Sequence, residues 1–108
     1  MVSYKYKGEN MTIEKITNGA ELTIKVSGRL DTTTSPQLEA ELKDSVSDIR
    51  KLIFDFSDLE YLSSAGLRVL LSAQKVMNKQ GEMIVKNVND NINEIFEITG
   101  FVDILTIE

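Results

Sequence analysis

Two short runs near the start of the chain set the first pattern. In residues 21–27, Leu22, Ile24 and Val26 alternate with Thr23, Lys25 and Ser27, the period of two that marks a half-buried strand. Residues 11–17 form the run before it, and Asn18-Gly19 between them suits a tight turn with positive φ. Together they predict a β-hairpin. Residues 28–34 then read as a loop holding Arg29, Asp31, Thr32, Thr33 and Thr34. It leads into Ser35-Pro36, where serine can cap a helix and proline fits the first helical position. Leu38, Leu42, Val46 and Ile49 follow at helical spacing and give a first helix one apolar face.

Residues 51–56 (KLIFDF) are apolar on both alternations, which predicts a central parallel strand covered on both faces. A second helix is expected over residues 64–79. At 100° per residue, Arg68, Ser72, Lys75 and Lys79 form its wet stripe, and Val69, Leu70, Ala73, Val76 and Met77 the opposite arc. Leu67 and Leu71 lie outside that arc, beside Gln74 and Asn78. Gly81 ends this helix, and residues 83–88 read as another strand. Asp90 or Asn91 then caps a third helix through Thr99, with Ile92, Ile95 and Phe96 on its apolar face and Gly100 as terminator. Residues 104–107 complete the pattern as a last strand.

The order β-β-α-β-α-β-α-β predicts a single α/β domain: a mixed four- to five-stranded sheet with three to four helices packed against it. Residues 1–10, where Tyr4 and Tyr6 stand among lysines, read as an N-terminal extension, either a strand or a loose tail. Residues 11–108 form the domain itself.

Composition narrows the chemistry. A length of 108 residues fits one domain. The net charge of −5 argues against nucleic acid, which demands clustered Lys and Arg, and against anionic membranes. No apolar run approaches the ~18 residues of a membrane span. Cysteine and histidine are both absent, so Ser-His-Asp and Cys-His nucleophiles cannot be built, and ordinary zinc sites lose their ligands. The expectation is a cytoplasmic, monomeric binding protein with no cofactor and no enzymatic activity.

The segment with most to say is DFSDLEYLSSAGLRVLL, residues 55–71. A buried strand ends, a short loop follows, and Ser63-Ser64-Ala65-Gly66 opens a helix. Helix N-termini present unpaired N–H groups and partial positive charge, so a serine there can act as a cap and a phosphate there can be held. Each residue also has an ordinary role on offer. Ser63 and Ser64 serve as caps, Asp31, Thr32 and Thr33 as turn residues, Leu67 and Leu71 as core, and Arg68 as a solvated charge.

This segment resembles the signature of the STAS family, the sulphate transporter and anti-sigma factor antagonist domain, in its antagonist branch. There a strand is followed by a hydrophobic or aromatic residue, Asp or Ser, a phosphorylatable Ser, a small residue, Gly and Leu. The matching residues are Tyr61-Leu62, Ser63, Ser64, Ala65, Gly66 and Leu67. Gly28-Arg29-Leu30-Asp31 with Ser35-Pro36 and Leu38 is similar to the family's first conserved region, and Thr99-Gly100-Phe101 with Ile104 to its closing segment. The likeness runs from about Met11 to Ile107.

The resemblance implies a partner switch. The unmodified antagonist binds a serine-kinase anti-sigma factor and frees a sigma factor; the kinase phosphorylates the serine matching Ser64, and a serine phosphatase resets the system. Asp31 matches the family's acidic loop residue near that serine. Many members carry Asp where this chain has Ser63, which makes Ser63 the alternative phosphosite. The partner surface implied is Asp31, Thr32, Thr33, Ser63, Ser64, Ala65, Gly66, Leu67, Arg68 and Leu71. Two other readings stay open: a STAS adaptor held in a larger sensory or transport assembly without phosphorylation, and a STAS domain binding a small ligand or nucleotide.

Overall fold

The computed structural model describes residues 2–108. Along them run β1 (Val2–Lys7), β2 (Met11–Asn18), β3 (Glu21–Leu30), α1 (Ser35–Ser45), β4 (Lys51–Asp55), β5 (Leu59–Leu62), α2 (Ser64–Gln80), β6 (Glu82–Lys86) and α3 (Asp90–Thr99), then a 3-10 turn (Phe101–Asp103). The hairpin forms as expected: β2 pairs antiparallel with β3, and Gly19 takes a φ of 63° in the turn. The sheet order is β1-β2-β3-β4-β6, with β4 parallel to both neighbours. β5 joins the same edge of β3 beyond β4.

β3 is longer than its alternation predicts. Its first half pairs with β4 and its last three residues with β5, and the register shifts between Gly28 and Arg29. A Cβ at Gly28 would stand 2.5 Å from the Asn10 carbonyl oxygen, and its φ is 89°, so this bend requires glycine. Residues 28–30 therefore belong to the strand, and the loop begins at Asp31. The expected loop before Ser63 likewise contains β5. Only two of its four residues are buried, so it has no alternation to announce it.

One face of the sheet carries the core. In register across three strands, Leu22, Leu52 and Met83 form one row and Ile24, Phe54 and Val85 the next. These rows join Leu38 and Leu42 of α1, Val69, Leu70 and Met77 of α2, and Ile92 and Phe96 of α3 in a single cluster. β4 is buried on both alternations, as KLIFDF predicts: Leu52, Ile53 and Phe54 are all buried. Ile53 and Ile84 lie outside the cluster and reach 9% exposure side by side in the sheet.

Other boundaries are corrected by local chemistry. Thr34, not Ser35, occupies the position before α1, and its hydroxyl donates to the Arg29 carbonyl rather than capping the helix. α1 stops at Ser45, so Val46 and Ile49 pack from the connection instead of the helix face. In α2, Val76 is 40% exposed although the helical wheel places it inside. α3 is capped by Asn89, whose side chain accepts the Ile92 N–H at 2.9 Å, and not by Asp90 or Asn91. The expected last strand reduces to one bridge between Val85 and Ile107.

The extension is a strand. β1 pairs with β2 over six residues, and Tyr4 and Lys15 both bond Glu41 of α1, at 3.0 and 2.7 Å. Burial pushes the Glu41 carboxyl up, but the hydrogen bonds from Lys15 and Tyr4 outweigh it and hold the group below its ordinary value.

Candidate functional site

Ser63 ends β5 and begins α2. Its N–H donates to the Leu30 carbonyl at 2.9 Å, and its hydroxyl accepts from the Gly66 N–H at a long 3.5 Å. Its φ and ψ of −96° and 174° are those of a helix cap. Ser64 is the first helical residue and is exposed. The first turn of α2 holds no acidic side chain, so nothing built into the helix answers its N-terminal partial charge.

The two residues after Ala65 have different work from that expected. Gly66 is buried, and a Cβ there would lie 2.6 Å from Leu62 Cδ1 and 2.9 Å from Leu30 Cγ. The close approach that requires glycine is thus made by the protein's own core, not by a partner. Leu67 is 6% exposed and belongs to the core cluster. Both support the surface without forming it. Leu71 and Ala65 are half-buried, while Arg68 is exposed.

Asp31 organises its own loop. Its Oδ1 accepts from the Thr33 hydroxyl at 2.8 Å and from the Thr33 and Thr34 N–H groups at 3.0 and 3.1 Å. The Thr33 hydroxyl, then the Thr34 and Thr33 amides, hold the carboxyl below the ordinary aspartate value. Its Oδ2 faces Arg29 Nε at 3.5 Å. Thr32 and Thr33 are left exposed at the loop tip. The loop and the helix meet in one groove, lined by Thr32, Ser35 and Pro36 on one side and Ala65 and Arg68 on the other.

Sequence reasoning missed one contact at this rim. The Arg29 guanidinium stacks 4.2 Å from the centre of the Tyr61 ring. The two residues are register partners across β3 and β5, so the pair becomes visible only once β5 is recognised as a strand. Among the described residues no cluster of His, Cys, Asp or Glu is arranged to hold a metal ion. No helix among them is long and apolar enough to cross a membrane.

A parallel β3–β4–β6 core, a capped serine pair after β5 and an Asx-type loop packed beside them define a STAS domain. The chain belongs to the STAS domain family, which matches residues 12–108. Among curated proteins it is 36% identical over 99 residues to BtrV of Bordetella bronchiseptica, which carries the provisional name of an anti-sigma factor antagonist; 90% of this chain and 84% of that one are covered. It is 33% identical over 98 residues to the anti-sigma-B factor antagonist of Staphylococcus aureus, covering 89% and 91%. Among solved structures, an anti-sigma factor antagonist from Mycobacterium paratuberculosis superposes with a TM-score of 0.82 at 24% identity, covering 90% and 84%. The Bacillus cell fate determinant SpoIIAA in its phosphorylated form superposes with a TM-score of 0.71 at 17% identity, covering 89% and 90%. β1 lies outside the region that matches the family.

Proposed function

We propose that this protein is an anti-sigma factor antagonist controlled at Ser64. In its unphosphorylated form it binds a serine-kinase anti-sigma factor in the cytoplasm, as a monomer, and so releases the sigma factor. Phosphate on Ser64 ends the binding, and a serine phosphatase restores it. The protein acts by association and is not itself an enzyme.

The observation that carries this reading is the division of labour between adjacent serines. Ser63 is used by the fold as a cap, while Ser64 stands exposed at a helix N-terminus that contains no carboxylate. Named relatives that are anti-sigma factor antagonists support it. So does the existence of a phosphorylated form of SpoIIAA on the same fold.

A phosphate adds roughly −1.5 to −2 charge. The helix end tolerates it, because N–H groups and the dipole face it. A closed interface does not. A penalty of about 2–4 kcal/mol in desolvation and repulsion lowers affinity roughly 30- to 1000-fold. Incubation with each anti-sigma kinase of the same cell, read by intact mass and site mapping, tests the reading. One phosphate at Ser64 that is absent from Ser64→Ala is expected, together with loss of binding by the modified protein. Phosphate on Ser63 moves the switch by one residue. Equal affinity of the phosphorylated and unmodified forms for the kinase refutes it.

A further inference from the structure

Across its 17 residues α2 carries Arg68, Lys75 and Lys79 and no carboxylate. All three are exposed, and none is ion-paired among the described residues. With Ser64 they mark the solvent side of the helix, the serine at its head. Beside that stripe α1 and α2 leave a groove. Its upper part, about 410 Å³, runs between the Asp31 loop and Ala65; its lower part, about 300 Å³, has Leu42, Val46, Val69, Ala73 and Val76 in its walls. The two parts share Glu39, Val69 and Ser72 and are therefore one channel. The carboxylate at that junction, Glu39, is opposed by Lys43 at 3.7 Å.

We propose that this groove takes an acidic amphipathic segment of the anti-sigma factor, its apolar side on the valine-lined floor and its carboxylates against Arg68, Lys75 and Lys79. The inference rests on the antagonist reading above and adds the chemistry of the partner. It is carried by charge: Arg68 lines the upper part of the channel, Lys75 and Lys79 follow it on the same exposed side of α2, and Ala65, next to Ser64, borders the upper end above an apolar lower part. It also fixes the sign of the switch. A phosphate at the head of the stripe offsets roughly two of the three positive charges and repels the segment they attract.

The test is a charge reversal on the solvent side of α2. Lys75→Glu with Lys79→Glu alters only exposed positions, and a cooperative melting transition, lowered slightly because Lys79 lies in the last turn of α2, shows that the fold is kept. Affinity for the anti-sigma factor is then measured by calorimetry at low and high salt. The expected result is binding about 10- to 100-fold weaker than wild type, with the wild-type salt dependence flattened in the variant. Wild-type binding that ignores both reversal and salt overturns the groove assignment and leaves the antagonist reading standing. No binding by wild type overturns both. Tighter binding of the reversed variant assigns a basic partner and overturns the proposal. Self-association of the protein alone, lost in the variant, places the acidic α3 of a second copy in the groove and overturns it as well.

Discussion

Two helices of this protein start in the same way and end up with different purposes. α2 and α3 each follow a strand, each through an extended capping residue whose side chain accepts from the N–H three residues on: Ser63 from Gly66 and Asn89 from Ile92. The α3 cap is short at 2.9 Å, is tied to β5 by Asn89 Nδ2 on the Leu59 carbonyl, and is followed by Asp90 in the first turn. The α2 cap is long at 3.5 Å and is followed by the neutral hydroxyl of Ser64. At one helix start the anion is encoded; at the other its place is left open. On the proposed function, the difference is how a fold keeps room for a phosphate without weakening itself. It repeats a stable unit and leaves out one charge.

The comparison can be broken most forcefully at the third position after each cap. Ile92 is fully buried, so Ile92→Ala leaves a cavity and is expected to cost about 2–5 kcal/mol. Gly66 faces the opposite constraint, and Gly66→Ala presses a methyl group on Leu62 and Leu30, expected to cost about 1–3 kcal/mol. Urea denaturation of both variants checks the pair; a neutral Gly66→Ala shows that α2 can shift away from β3 and β5. The caps come next. Asn89→Ala is expected to lose ~1 kcal/mol, and Ser63→Ala less, about 0.5, in line with its longer bond. Equal losses in thermal unfolding remove the distinction between a firm cap and a loose one. The smallest effects are in charge. Ser64→Asp supplies the missing anion and is expected to stabilise by about 0.3–1 kcal/mol, while Asp90→Asn destabilises by a similar amount. A Ser64→Asp variant that melts lower than wild type shows that the α2 terminus does not accommodate negative charge.

Much of this arrangement was readable from the chain, and the misses share a cause. The hairpin, the buried KLIFDF strand and the stripe of Arg68, Ser72, Lys75 and Lys79 were legible because side-chain periodicity is set within one element. β5 was not, because a four-residue strand with two buried positions has no period to detect; it exists through its pairing with Arg29 and Leu30. The Arg29–Tyr61 stack was hidden for the same reason. β1 has no such signal, since the contact of Tyr4 and Lys15 with Glu41 that ties this edge of the sheet to α1 joins residues up to 37 positions apart. At the site, the family pattern marked Gly66 and Leu67 as partner-facing, whereas packing against Leu30 and Leu62 turns Gly66 inward and places Leu67 in the core. Ser63 and Ser64 have nearly the same composition around them, and the capping bond of Ser63 together with the exposure of Ser64 separates their places in the fold.

The bond from the Ser63 N–H to the Leu30 carbonyl has a consequence for how Ser64 is recognised. It stitches the residue before Ser64 to the end of β3, and Gly66 packs the residues after it against Leu30 of the same strand. A kinase that modifies this serine meets a fixed contour of the folded domain, not a pliable stretch of letters. A synthetic peptide copying residues 58–70 carries every letter around Ser64 and none of that contour, and is expected to be a poor substrate.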